Sequence, residues 1–134
     1  MARVVVVASL VPVLARLSLP RQAAILSRPP KGAGGASRAT NQRDPDQMVR
    51  CLDLAQGVAR PLVRPGCLTR AITLYWFLGR GDDSVQLCFG LGHPVSGDDY
   101  SGHCWLTRAG EPFLERVDPT EIFGVVYRIP AAPR

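Results

Sequence analysis

Residues 66–79 read Gly-Cys-Leu-Thr-Arg-Ala-Ile-Thr-Leu-Tyr-Trp-Phe-Leu-Gly. Leu68, Ala71, Leu74, Tyr75 and Leu78 recur at helical spacing, which predicts a helix over 67–79. Ile72, Trp76 and Phe77 occupy its other sides. Such a helix is apolar nearly all round and belongs at the centre of a fold. Upstream, Arg64-Pro65-Gly66 punctuates the chain, so the helix opens on Cys67. Downstream of Gly79-Arg80-Gly81 the period changes from helical to alternating. Residues 84–89 read as a strand with Val85, Leu87 and Phe89 on one face. Residues 90–97 are rich in turn formers. Residues 100–107 read as a second strand, Ala109-Gly110-Glu111 as a hairpin turn, 112–117 as a third strand and 123–129 as a fourth.

Ahead of the central helix the pattern is helical throughout. Residues 3–17 predict a helix, and Pro20 suits the first turn of a second one reaching 28. Residues 29–43, centred on Pro29-Pro30-Lys31-Gly32-Ala33-Gly34-Gly35, carry no apolar period and read as a flexible loop. Asp44 suits an N-cap and Pro45 the first turn of a third helix, with Met48, Leu52, Leu54, Ala55 and Val58 as its apolar positions. Helices first and an antiparallel sheet after them make an α+β fold. The expected organisation is one domain over 1–134: a helical segment at 1–28, the loop, then helices and a sheet over 44–130.

The chain has 134 residues, 46% of them hydrophobic, enough to build a core. Its net charge is +5, and Lys31 is the only lysine among 16 basic residues. The arginines are scattered, so no nucleic-acid-binding stripe is expected. The apolar run after Met1-Ala2-Arg3 is broken by Ser9 and Pro12 and is too short to span a bilayer. Apolar residues continue past Arg16, so this region reads as a packed helix rather than a secretion signal, and no membrane association is expected. Cys51, Cys67, Cys88 and Cys104 match no small disulfide scaffold. They read as free thiols of a cytoplasmic protein.

Cys67 carries the first chemical signal. A helix N-terminus presents unpaired N–H groups and a positive dipole end, which together favour a thiolate. The same N–H groups can serve an oxyanion, and Gly66 leaves room for a substrate backbone. A buried structural cysteine is the alternative. His103, in Gly102-His103-Cys104-Trp105-Leu106, sits on a strand that would mount a general base firmly. Alternation puts His103 and Trp105 on one face and Cys104 on the other. Trp105 either shields the base, packs beneath the site, or joins Gly66 in meeting substrate. Glu115 follows on the neighbouring strand, where its carboxylate can orient the imidazole; Asp118 competes for that role. Cys88, His93, His103 and Cys104 can be drawn as a zinc set. But His103 and Cys104 point to opposite faces and no C-x-x-C pair is present, so no metal is expected. Asp82-Asp83 and Asp98-Asp99 read as solvated turn acids. No phosphate loop occurs, so no cofactor is expected.

Gly66-Cys67-Leu68-Thr69-Arg70-Ala71, followed by Leu74-Tyr75-Trp76-Phe77-Leu78, resembles the nucleophile helix of the lasso-peptide leader peptidases. These are stand-alone B-type maturation proteins of the transglutaminase-like, papain-related superfamily. Gly102-His103-Cys104-Trp105-Leu106 and Gly110-Glu111-Pro112-Phe113-Leu114-Glu115 resemble their histidine and acid strands; the motif-bearing part covers 66–115. The resemblance implies Cys67 as nucleophile, His103 as base and Glu115 where the family often has Asp. Arg70 matches the motif arginine, as a brace or a substrate contact. It also implies removal of the leader from a ribosomally made precursor, a separate leader-binding recognition protein, and a separate cyclase that closes the freed core. A non-catalytic precursor-binding module and a Cys-His acyltransferase stand as alternatives.

Overall fold

The computed structural model describes residues 2–28, 44–59, 63, 65–80, 82–92 and 101–130. The expected loop at 29–43 and most of the turn-rich stretch, residues 93–97, lie outside these residues. Four helices come first: α1 (Ala2–Leu14), α2 (Leu19–Leu26), α3 (Pro45–Val58) and α4 (Cys67–Leu74). α4 runs directly into one π turn, Tyr75–Gly79. The strands follow: β1 (Val85–Gly92), β2 (Gly102–Arg108), β3 (Glu111–Phe113) and β4 (Phe123–Ile129). They form one antiparallel sheet in the order β3-β2-β1-β4. The architecture is α+β, as the order of periodicities requires.

Local chemistry explains each helix. Val4, Ala8 and Val11 form the buried stripe of α1, which packs on α3 and α4. Pro12 falls in the last turn of α1, where only the end of the helix can feel its missing N–H. In α3, Asp44 Oδ1 accepts a hydrogen bond from the Asp46 N–H at 3.1 Å, and Pro45 fills the first turn. Met48, Leu52 and Ala55 are buried, but Leu54 and Val58 are 54% and 77% exposed, against expectation. At about 100° per residue they fall well off the stripe set by 48, 52 and 55.

α4 is central, packed by α1, α3 and β2, with Thr69, Ala71, Ile72, Thr73 and Leu74 all buried. The widening of its last turn was not expected from the periodicity. Gly79 permits it: a Cβ there would collide with the Tyr75 ring.

The two faces of the sheet differ. Val85, Leu87 and Phe89 of β1, Cys104 and Leu106 of β2, and Tyr127 and Ile129 of β4 join the core shared with the helices. His103, Trp105 and Phe123 cluster on the other face. A Cβ on Gly90 would lie 2.7 Å from the Trp105 ring, so glycine is what lets the indole lie across β1. Ala109 and Gly110 both have positive φ, 52° and 92°, as a two-residue type I′ hairpin between Arg108 and Glu111 demands. β3 is shorter than the expected 112–117. Leu114, at φ 62°, turns the chain out of strand geometry just after Phe113. Among the described residues, no helix is long and apolar enough to cross a membrane.

Candidate active site

Gly66 precedes α4 in extended conformation, and no side chain caps the helix. The N–H groups of its first turn are therefore left without a side-chain partner. Cys67 is the first helical residue and is half-buried. α4, which it opens, packs against β2. β3 pairs only with Leu106–Arg108, so on that edge residues 102–105 have no strand partner among the described residues.

The Cys104 thiol and backbone N–H and the His103 imidazole all act on the Cys67 thiol in favour of its thiolate. Cys104 and His103 do lie on opposite faces, the first in the helix-side core and the second stacked with Trp105. The Cys104 thiol is the largest influence on Cys67. Burial opposes it, and the Cys104 N–H and the hydrogen bond and charge of His103 add to it. Together they pull the Cys67 thiol down from 9.0 to about 5. Cys104 itself is driven far upward by the adjacent Cys67 sulfur and by burial, so it stays protonated.

A reactivity profile follows. A lowered thiol is a thiolate above its pKa, and its reactivity falls only as pH drops through that value. The rate of Cys67 alkylation by iodoacetamide, followed by peptide mass mapping, is therefore expected to have its midpoint near 5. At pH 6 Cys67 should be modified ahead of the other cysteines. A midpoint near 9.0, the ordinary thiol value, would remove the thiolate from this account.

His103 stacks with two aromatic rings, Trp105 with centroids 5.9 Å apart and Phe123 at 5.0 Å, which also lie 6.5 Å from each other. Its Nε2 lies 3.8 Å from Glu115 Oε2, an ion-pair distance. With Nε2 turned to Glu115, Nδ1 is the nitrogen left for the thiol. Burial raises the Glu115 carboxyl above its ordinary value, and the charges of His103 and Arg70 work against that. Glu115 was expected on a strand. It instead lies beyond β3, where the turn at Leu114 carries it.

Arg70 braces this turn. Its Nη1 binds Asp53 Oδ1 of α3 at 2.9 Å, and its Nη2 reaches the Leu114 carbonyl at 3.5 Å. An open cleft of ≈ 420 Å³ is lined by Asp53, Arg70, His103, Leu114, Glu115 and Arg116. The other expected site residues divide. Gly66 is exposed, with open space where a side chain would stand. Trp105 is fully buried, so it backs the imidazole and offers substrate no surface; the expectation that it meets substrate is corrected. Asp118 caps the turn Pro119–Glu121, accepting from the N–H and hydroxyl of Thr120 at 2.8 and 2.6 Å, which lowers its carboxyl. It does not pair with His103.

Cys88 is buried with its sulfur 3.7 Å from the Thr107 hydroxyl, and His93 and the Asp98-Asp99 pair lie outside the described residues. Among the described residues no group of three or more His, Cys, Asp or Glu is arranged to hold a metal. Asp82 accepts from the N–H of Ser84 at 3.0 Å, a turn contact. Two members of the site were missed from the sequence. Phe123 belongs to a distant strand. Cys104 reads from the sequence only as a residue of the opposite face; its place beside His103 was the available signal.

No curated protein and no solved structure matches the chain. The transglutaminase-like superfamily model matches it over residues 6–128, which runs from within α1 to within β4 and includes the whole Cys67–His103–Glu115 group. With a thiol at the start of the central helix set against a histidine on the sheet, the chain belongs to the transglutaminase-like superfamily.

Proposed function

We propose that this chain is a cysteine peptidase that cuts the leader from a ribosomally made lasso-peptide precursor. Three groups brought together carry the reading: a thiol lowered to about 5, an imidazole beside it, and a carboxylate 3.8 Å behind that imidazole. The superfamily includes cysteine peptidases and acyltransferases, so the fold supports thiol chemistry on a carbonyl. The motifs around Cys67 and His103 support the narrower assignment.

In this reading Cys67 and His103 form an ion pair. The Cys67 sulfur attacks the last carbonyl carbon of the leader, forming a C–S bond and an oxyanion. The uncapped N–H groups at the start of α4 stand next to that oxyanion. The imidazolium of His103 gives its proton to the departing core amine as the C–N bond breaks. Water then loses a proton to His103 and adds to the thioester. The C–S bond breaks, and leader acid and thiolate are released. Glu115 holds the imidazole through Nε2 throughout. Gly66, exposed at the mouth of the site, and Arg70, lining the cleft, are the surfaces assigned to substrate.

The reading includes a separate leader-binding protein, which raises the local concentration of precursor, and a cyclase that takes the freed core. An apolar groove of ≈ 290 Å³ between α1 and α2, lined by Val7, Leu10, Leu14, Leu17, Ile25 and Trp76 among others, supports a docked partner.

The test is incubation of the chain with the precursor encoded beside it and the leader-binding protein, with products weighed by mass spectrometry. The expected result is one cut at the leader–core junction, with leader acid and core amine in equal amounts. A leader amide formed when an amine is added would make the enzyme an acyltransferase. An intact precursor held in a stable complex would make it a binding module.

A further inference from the structure

We infer that Asp53 of α3 is a positioning residue for the site's acid: it fixes the Arg70 guanidinium, and Arg70 holds the turn that sets Glu115 behind His103. This deepens the peptidase reading and rests on it, since the group being positioned is that reading's carboxylate.

Arg70 stands three residues after Cys67, on the same side of α4. Its backbone N–H donates to the Gly66 carbonyl at 3.0 Å, closing the turn that carries Cys67. From that turn its side chain reaches two other elements. Nη1 donates to Asp53 Oδ1 at 2.9 Å, and Nη2 reaches the Leu114 carbonyl at 3.5 Å. Leu114 is the residue at φ 62°, an angle costly for leucine, and such angles persist where neighbouring groups hold them. Glu115 comes next, with Oε2 3.8 Å from His103 Nε2. One guanidinium therefore ties the nucleophile's turn to α3 and to the acid's turn. Asp53, Arg70, His103 and Glu115 all line one open cleft.

The Leu114 contact is long, and a guanidinium on a flexible stem needs a second anchor to stay aimed at it. The fork is planar, so a carboxylate on Nη1 fixes where Nη2 points. Asp53 supplies that carboxylate. The pair is partly exposed, 26% at Arg70 and 49% at Asp53, so it contributes little to stability. Its effect is on aim, and an acid that orients an imidazole depends on aim. Held there, the charge of Arg70 also favours the ionised form of Glu115, against burial.

The experiment compares Asp53→Ala, Arg70→Lys and Glu115→Gln in the full chain. Single-turnover cleavage of the precursor is expected to fall roughly 10- to 100-fold in Asp53→Ala, with the melting temperature little changed. Arg70→Lys keeps the charge but not the fork, and should fall by a similar factor. In the Glu115→Gln background Asp53→Ala should cost nothing more, because both residues act along one line of contacts. Equal losses in the two backgrounds would overturn the inference, as would a rate in Asp53→Ala close to that of wild type. The side-chain NMR signal of the His103 imidazole gives a readout that needs no substrate. In Asp53→Ala it should move toward its position in Glu115→Gln; a signal that stays at its wild-type position would overturn the positioning role. A signal that moves, in protein that cleaves no precursor, would uphold that role and remove the peptidase reading instead.

Discussion

Replacing Cys67 by alanine is expected to lower kcat/KM for precursor cleavage by on the order of 10⁴- to 10⁶-fold, the loss seen when a covalent nucleophile is removed. The nearest sulfur, that of Cys104, is part of the helix-side core and is set on the sheet rather than at the uncapped helix start. It cannot bring the same orbital to a carbonyl lodged against α4. The variant should keep its fold, because Cys67 is only partly buried and the core of α4 rests on Ala71, Ile72 and Leu74. Single-turnover kinetics with an unchanged melting temperature would establish both points. Cleavage within tenfold of wild type would put the nucleophile elsewhere.

Replacing His103 by alanine is expected to reduce the rate by roughly 10²- to 10⁴-fold, the range for a general acid–base group. Two effects combine. The proton donor to the leaving amine is gone, and so are a hydrogen bond and a positive charge that favour the Cys67 thiolate. Removing influences that lower a pKa raises it. The midpoint of the Cys67 alkylation profile should therefore move above its wild-type position near 5. The Cys104 thiol and N–H, the larger influences, remain in place, so the midpoint should not return fully to 9.0. A purely structural role for His103 would reduce turnover without moving that midpoint. Measuring both on one protein separates the two.

Elements governed by local rules were legible from sequence. Asp44-Pro45 announced the start of α3, and Ala109-Gly110 announced the hairpin, because a cap and a two-residue turn involve only neighbouring residues. The burial of α4 was legible because apolar residues surround it. What escaped depends on contacts between distant elements. Nothing local to Leu114 signals a positive φ, yet that angle ends β3 and places Glu115 beside His103. Period-2 alternation assigned Cys104 to a face correctly. It could not show that Cys67, at the start of α4, would come under the influence of both Cys104 and His103. Trp105 was open among three roles until its burial and its stacking on His103 became visible.

The aromatic cluster around His103 also bears on how the protein fails when heated. β4 is an edge strand, paired only with β1, and Val125 and Val126 stand exposed along it. Edge segments with few buried neighbours open at lower free energy than the core. Phe123, one ring of that cluster, rides on that strand, while Cys67 is anchored in the buried central helix. Partial opening of β4 thus frees the imidazole before it disturbs the thiol. Warmed protein would pass through a state that still reacts with iodoacetamide but no longer turns over, so inactivation would run ahead of unfolding.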